Sequence, residues 1–446
     1  MLYILFLLGI IPAYLVCRKI INRNDISFID IFIVGNTLFF LLIPYKGEFI
    51  DHIRDDGFNL PTSISTLVLV VIFLWILLLM AHILRNNGAF SITKNFLKWD
   101  RYLRPDIIYV YLSLIASCMM LYKVTDFSQL TEDNPEVNNQ LYFGADMPIA
   151  LRLIWLFALG ARPVLTLIVI KVFRQTEFKC HKRISVLTLI VTFVSYLLGP
   201  KTDLIVFLLF IVLYYYSIYK SKISKKQIIK YVLSIFLFLC IFFPISQGLR
   251  MAKQALVYQG GKIDFISAVN YYVNASSLDK KANEKGADYY IKSRSLNVFN
   301  CLDYTCKRVF RGNGELSSMI LFSLLPLNTD ALGFNSNILG DVYVFKGADI
   351  GESILAWFNA DFYGVGIVLA VFFYLIAIYS FFKYYSLLSK CMGKPIILGF
   401  YFFYALSLSW GIEVNPSGFF HAFYVDYLAA PLVLFVLLKS LKYIIK

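Results

Sequence analysis

Several basic side chains lie inside or directly after long apolar runs of the sequence, where charged residues are uncommon. Arg162, in the segment LGARPVL, falls inside a long apolar run, and Lys201 follows the Gly-Pro turn of LLGPKTD. Arg250 (QGLRMAK), Arg308 and Arg311 (CKRVFRGNG) follow a later apolar run. Guanidinium and ammonium groups bind phosphate and other concentrated negative charge. The types and positions of these residues therefore indicate anion binding.

Arg162 has two interpretations. A charged residue at the centre of a membrane span costs about 3 kcal/mol unless it is paired or lines a wet cavity. Arg162 could form a structural ion pair with a carboxylate such as Asp30 or Asp426. Alternatively, it binds an anion at the base of an outward-facing cavity, and Pro163 beside it predicts a local helix break that would open this cavity.

Lys201 and Thr202 stand at the expected start of a helix, after Gly199 and Pro200. A cation next to the free N–H groups of a helix N-terminus makes an anion site. The alternative is an interfacial lysine whose ammonium group reaches toward water.

Two side chains are the first candidates for moving a proton. Glu352, in KGADIGESILAWFNADFYG, leads into an amphipathic stretch, and His421 lies in NPSGFFHAFYVDY. A carboxylate or imidazole with a shifted pKa can act as a general base. The alternatives are a solvated loop carboxylate and an interfacial histidine. Three other carboxylates near the same boundary are Asp341, Asp349 and Asp361.

These residues must be positioned by a chain that is mostly apolar. Of its 446 residues, 59% are hydrophobic and 16% charged, and the mean hydropathy is +0.69. Such values exclude disordered chains and ordinary water-soluble enzymes, and they fit a protein embedded in a bilayer. The net charge of +14 does not indicate nucleic-acid binding, because the basic residues form short clusters between apolar runs.

We predict an all-α polytopic membrane protein with about eleven transmembrane helices, ten to twelve being compatible with the run lengths. A helix needs about 20 residues to cross a ~30 Å hydrocarbon core. The predicted spans are 2–17, 26–44, 62–84, 106–122, 149–171, 184–199, 204–219, 231–247, 362–382, 395–413 and 422–439. This divides the chain into a bundle of about eight spans (1–247), a large extracytoplasmic loop domain that is partly helical (248–361), and about three C-terminal spans (362–446).

The loops predict the orientation of these spans. Basic residues concentrate in alternate connections, whose acidic residues are Asp25, Asp100 and Glu177. Because positively charged loops stay in the cytoplasm, the N-terminus is expected outside and the C-terminus in the cytoplasm. The first apolar run has no basic residue before it, so we expect a permanent anchor and not a cleaved signal peptide.

The segment 248–361 is by far the longest polar stretch. Its aromatic residues alternate with Asn and Asp, a mixture typical of sugar recognition and equally of a small packed domain. Cys301 and Cys306 (CLDYTC) are the cysteines of this segment and could form a local disulfide in an oxidising compartment. The sequence shows no metal-ligand spacing and no cofactor motif, so we expect neither.

Three stretches resemble the O-antigen polymerases (Wzy-type) within the oligosaccharide repeat-unit polymerase family. They are the hairpin YLLGPKTDLIVFLLF, the basic segment QGLRMAK, and the long stretch NSNILGDVYVFKGADIGESILAWFNADFYGVGIVLAVFFYLI. The layout of many spans with one very long outer loop is also similar to that family. The family usually has Arg in the hairpin where this chain has Lys201, which offers a point charge instead of a bidentate fork.

The resemblance implies a membrane glycosyltransferase that polymerises undecaprenyl-diphosphate-linked repeat units of O-antigen or a related surface polysaccharide, at the outer face of the bacterial inner membrane. Lys201, Arg250, Arg308, Arg311 and Arg162 would bind the diphosphate, and Glu352 or His421 would accept the proton. The implied partners are lipid-linked glycans, membrane lipids and a chain-length regulator protein, with no nucleic acid. The alternatives are an O-antigen ligase, which uses the same donor, and a polysaccharide flippase or other transporter.

Overall fold

The computed structural model describes residues 2–42, 64–125, 149–199, 201–231, 265–274, 353–410 and 429–444, together with ten single positions between 233 and 306. About 89% of the described residues are helical and none lies in a strand. The prediction of an all-α chain is therefore confirmed for this part of the sequence.

The described helices are α1 (Leu2–Ile21), α2 (Phe28–Thr37, continued by a π-helical turn Leu38–Leu42), α3 (Ile64–Ile83), α4 (Ile92–Tyr102), α5 (Ile107–Thr125), α6 (Ile149–Gln175), α7 (Lys179–Leu197), α8 (Lys201–Tyr219), α9 (Phe265–Asn274), α10 (Ile354–Phe362), α11 (Gly366–Met392), α12 (Leu398–Trp410) and α13 (Ala429–Ile444). Most of them coincide with predicted apolar runs, whereas α4, α9 and α10 do not. Short 3-10 turns follow α3 and α10 and precede α12.

Within the described ranges, four helical stretches are long and apolar enough to cross a membrane. They are Tyr3–Ile21, Ile64–Asn86, Lys179–Leu197 and Ile354–Met392. Helices α4 and α5 make a fifth if this pair, bent by 120°, is counted as one span. These lengths and compositions are consistent with a multi-pass membrane protein, whereas the number eleven remains a prediction.

Serine side chains define the starts of three helices. Ser27 Oγ accepts a hydrogen bond from the Asp30 amide (3.2 Å), and the Asp30 carboxylate accepts one from the Ser27 amide (2.7 Å), which together form a capping box. Ser91 caps α4 and Ser353 caps α10 through the same Oγ contact with the third residue of each helix. Each contact satisfies an amide that the helix itself leaves free.

Helix α12 lies at the centre of the bundle. It packs against α2, α4, α6, α8 and α11, and most of its side chains are buried. Gly399 makes this approach possible, because a Cβ atom there would lie 2.5 Å from Val164 of α6 and 2.8 Å from the Trp99 ring of α4. Helices α5, α6 and α7 form a second group, and α13 packs on α6.

Close packing and polar contacts hold these helices together, since apolar burial gives little driving force between helices in lipid. The hydroxyls of Ser117 (α5) and Thr192 (α7) lie 2.6 Å apart, and those of Tyr374 (α11) and Ser409 (α12) lie 2.7 Å apart. Such interhelical hydrogen bonds contribute about 0.6 kcal/mol each on average.

The ion pairs found within the described ranges cluster at one end of the bundle, which the sequence predicts to be cytoplasmic. Lys19 Nζ lies 2.5 Å from Asp30 Oδ2, and Lys171 Nζ lies 3.2 Å from Asp100 Oδ1. Asp25 pairs with Lys220 and, at 3.9 Å, with Lys94. These pairs connect α1 to α2, α6 to α4, and the α1–α2 connection to α8 and α4.

Candidate functional site

Arg162 is buried at the middle of α6. It is 3% exposed and lies thirteen residues from each end of the helix, which is about 20 Å at 1.5 Å per residue. Helix α6 runs without interruption through Pro163, so the predicted local break is wrong. Membrane helices tolerate proline because neighbouring groups compensate for the missing backbone hydrogen bond. Thr166 Oγ1 donates to the Arg162 carbonyl at 2.7 Å in this turn.

The partners of the Arg162 guanidinium lie at the end of α7. Nη1 donates to Ser195 Oγ at 2.8 Å, and Cζ lies 3.6 Å from the centre of the Tyr196 ring. Tyr196 in turn stacks on Phe207 of α8, with ring centres 4.0 Å apart and 11° between the planes. Three helices therefore contribute to the surroundings of one cation, which the ring face stabilises through a cation–π contact.

Arg162 forms no salt bridge among the described residues, although Asp203 in the first turn of α8 lies close enough to act electrostatically on Tyr196. Its Nε is buried and has no hydrogen-bond partner. Asp30, which the sequence offered as an ion-pair partner, instead pairs with Lys19 and caps α2, so that assignment is wrong. Asp426 lies outside the described residues. Because Arg remains protonated, this arrangement leaves a buried cation with a donor directed at no acceptor.

The α7–α8 connection is recessed relative to α6. Helix α7 ends at Leu197, two residues after Ser195, whereas α6 extends thirteen residues from Arg162 toward Ile149. With a rise of 1.5 Å per residue, the connection lies about 15 Å below that end of α6. Lys201 is the first residue of α8, five residues after Tyr196. The structure therefore brings the backbone of the predicted hairpin site to the same depth as Arg162.

The other predicted site residues, Arg250, Arg308, Arg311, Glu352 and His421, lie outside the described residues. Lys201 is described by its backbone alone. Convergence of the five predicted cations remains a prediction, and Arg162 is the member whose surroundings are known in atomic detail.

Sequence analysis missed Ser195 and Tyr196. A signal for Ser195 is present, because Ser185, Thr188, Thr192 and Ser195 recur every three or four residues and all are buried on one face of α7. A polar stripe on an apolar helix indicates a packed interface. The sequence does not show that Arg162 is the residue opposite Ser195. That contact depends on how α6 and α7 are aligned when they pack, and the spacing of residues within each helix does not determine this alignment.

A second buried polar cluster joins three distant parts of the chain. Thr66 Oγ1 of α3 donates to Asp303 Oδ1 at 2.5 Å, and Asn359 Nδ2 of α10 donates to Thr305 Oγ1 at 2.9 Å and contacts Cys306 Sγ at 3.5 Å. Thr305 Oγ1 donates to the Leu302 carbonyl, so it can only accept from Asn359. This fixes the Asn359 amide orientation, and its Oδ1 is buried without a donor.

Cys306 is a buried free thiol in this cluster, so the Cys301–Cys306 disulfide is not formed in this structure. Burial raises the pKa of the Cys306 thiol above its ordinary value, and hydrogen bonds from Thr66, Asn359 and Thr305 oppose this rise. A thiol in such surroundings stays protonated and unreactive at neutral pH.

Metal binding has no support in the part of the chain that the structure describes, where no group of three or more His, Cys, Asp or Glu side chains could hold an ion. Comparison of the chain with protein-family models, curated proteins and solved structures finds no match.

Proposed function

We propose that the chain is a membrane glycosyltransferase that polymerises oligosaccharide repeat units carried on undecaprenyl diphosphate, at the outer face of the bacterial inner membrane. The observation that supports the proposal is the buried Arg162, which has no salt bridge among the described residues and lies beside the recessed α7–α8 connection. A buried cation of this kind fits an anionic ligand that arrives from the membrane, and a lipid diphosphate has this chemistry.

The proposed reaction needs charge stabilisation at the leaving group. The acceptor hydroxyl attacks the anomeric carbon of the donor glycan, and the bond from that carbon to the phosphate oxygen breaks. The electron pair leaves with the polyprenyl diphosphate, while the hydroxyl proton passes to a base, for which Glu352 and His421 are the candidates. Arg162 and Lys201 would stabilise the departing diphosphate, as fixed cations do where negative charge develops.

The proposal includes the topology predicted from the loops: eleven spans, an outer N-terminus and a cytoplasmic C-terminus. In this orientation Ile149 and the α7–α8 connection face outward, so the recess beside Arg162 opens toward the outer leaflet. The segment 248–361 would cover this side and bind the sugar portion of the substrates. A chain-length regulator remains a proposed partner.

One observation favours the second candidate, a polysaccharide transporter. Arg162 is a buried ionisable residue inside a predicted membrane span, and such residues are typical of transport pathways. Against this, Asp30 is held in a capping box by Ser27 and paired with Lys19, so it is not available to a pathway through the bundle.

Deletion of the gene in its natural host separates the candidates. Loss of a polymerase should leave surface glycans with a single repeat unit, whereas loss of a ligase should leave none. Loss of a flippase should accumulate lipid-linked repeat units on the cytoplasmic side of the membrane. Gel analysis of surface glycans, with the wild-type gene restored as a control, gives the answer. Normal long glycans in the deletion strain would refute all three functions.

A further inference from the structure

The exposed side of α4 and of the α4–α5 connection carries cations that form no ion pair among the described residues. Lys98, Arg101 and Arg104 are exposed, and none of their side chains forms an ion pair or hydrogen bond within the described residues. The nearby carboxylates make other contacts. Asp100 binds Lys171 and Tyr214, and Asp106 accepts the Ile108 amide at 3.1 Å at the start of α5. The three exposed cations therefore have no salt-bridge partner among the described residues.

Helix α4 lies across the direction of α5. The chain turns by 120° between the two helices. A turn of 90° would make α4 perpendicular to α5, so α4 is tilted by 30° from that perpendicular direction. Its other face is fixed to the bundle, where Phe96 and Trp99 are buried against α8 and α12. A helix that packs in this way beside a membrane-spanning neighbour lies near the plane of the membrane surface. Its exposed face is then at the depth of lipid head groups.

The first turn of α7 extends this charged surface. Helices α5 and α7 contact each other at Ser117 and Thr192. The two helices run in the same direction, because α6 lies between them in the chain and reverses the direction twice. Ile107 lies ten residues before Ser117, and Lys182 lies ten residues before Thr192, so Ile107 and Lys182 are at about the same level. The exposed cations of this turn therefore lie at about the same level as Arg104, on a helix that packs against α5. We call the whole group the basic belt; its members are Lys98, Arg101, Arg104, Lys179, Lys182 and Arg183.

Exposed apolar side chains lie among these cations. Tyr102 is 58% exposed and Phe178 is 70% exposed, and Leu97 is also exposed on α4. Aromatic rings are favoured at the boundary between head groups and acyl chains, while Lys and Arg reach the phosphates. A surface that combines both kinds of side chain fits a lipid interface, because a soluble polyanion would leave the apolar groups in water.

We propose that the basic belt is a binding surface for the head groups of acidic phospholipids. The phosphate groups neutralise the cations of α4 and α7, and the acyl chains cover Leu97, Tyr102 and Phe178. This site is separate from Arg162 and does not depend on the proposed transferase activity.

The test compares the full-length wild-type protein with two variants that lose the same charge. Lys98→Gln/Arg101→Gln/Arg104→Gln removes half of the belt. Lys222→Gln/Lys226→Gln/Lys230→Gln removes three exposed lysines after α8 and serves as the control. Native mass spectrometry measures bound phosphatidylglycerol against phosphatidylcholine as the uncharged reference, and size-exclusion chromatography checks that each variant is folded.

We expect phosphatidylglycerol affinity to fall on the order of 100-fold in the belt variant, at roughly fivefold per cation, and to stay within about fivefold of wild type in the control. Equal losses in both variants would overturn the proposal, since they would indicate general surface charge. Displacement of the lipid by inorganic phosphate at equal concentration would overturn it as well, because a free anion would then suffice. If the belt variant misfolds, the single variants Arg104→Gln and Phe178→Ser replace it. Each should show a smaller loss of phosphatidylglycerol affinity than the triple variant.

Discussion

The guanidinium carbon of Arg162 lies 3.6 Å above the centre of the Tyr196 ring. This contact places the cation over the face of the ring, while the guanidinium carries five N–H donors for other partners. One of them reaches Ser195, and Nε donates to no group. The ring therefore holds the cation in place without neutralising its charge, and one buried N–H donor of the guanidinium has no protein acceptor among the described residues.

Replacement of Arg162 by Met should separate activity from stability. Glycan polymerisation should fall by roughly 10²–10³-fold, the loss typical when one donor to a developing negative charge is removed. The thermal midpoint should stay the same or rise, because an uncompensated buried charge disappears. Activity in proteoliposomes and thermal unfolding in detergent check the two parts. Arg174→Met, at an exposed position on the same helix, is the control and should keep activity. A large drop in stability with the Arg162 variant would instead indicate a structural cation.

The Tyr196 ring should matter more than its hydroxyl. Tyr196→Phe keeps the cation–π face and should retain nearly full activity, whereas Tyr196→Leu should lose roughly 30-fold, corresponding to about 2 kcal/mol for a desolvated contact. Both variants change the same position, so their ratio cancels general packing effects at the end of α7. Equal activities of the Phe and Leu variants would contradict the role of the ring.

The buried pair of Lys171 and Asp100 should contribute measurable coupling energy. Their side chains are 9% and 27% exposed, and Tyr214 also donates to Asp100 at 2.6 Å. A double-mutant cycle with Lys171→Met and Asp100→Leu should give about 1–3 kcal/mol, read from unfolding in detergent. The matched cycle on Lys94 and Asp25, 3.9 Å apart and more exposed, should give less than about 1 kcal/mol. Similar values for the two cycles would argue against the buried network.

Cys306 should resist alkylation in the folded protein. Its raised pKa keeps the thiol protonated, so iodoacetamide at pH 8 should label the exposed Cys180 and leave Cys306 unlabelled until the protein is unfolded. Since the unfolded thiol loses its proton at lower pH than the folded one, this group stabilises the fold below its ordinary pKa of about 8.5 and loses that contribution as pH rises. Labelling of unfolded Cys306 only after reduction would instead demonstrate a disulfide.

The apolar runs predicted most helices, because a long hydrophobic segment has few alternatives in a bilayer. The run 62–84 matches α3 within two residues at each end. The start of α7 was predicted at residue 184, but the helix begins at Lys179, since basic side chains at a helix end can extend toward water without ending the helix.

Helix α4 was missed for a different reason. Only one of its faces is apolar, with Ile92, Phe96 and Trp99 buried, and its charged residues were interpreted as part of a loop. The partners of Arg162 were not predictable from spacing either, because they depend on how α6 and α7 pack. The composition therefore predicted apolar helices suited to a membrane, whereas the contacts between those helices could be identified only from the structure.

The close contact at Gly399 has a consequence for how the protein is made. This surface of α12 is shaped to Val164 and the Trp99 ring, which emerge from the ribosome more than two hundred residues earlier. The N-terminal helices are therefore synthesised before their partner, and they act as a template on which the C-terminal part of the chain assembles.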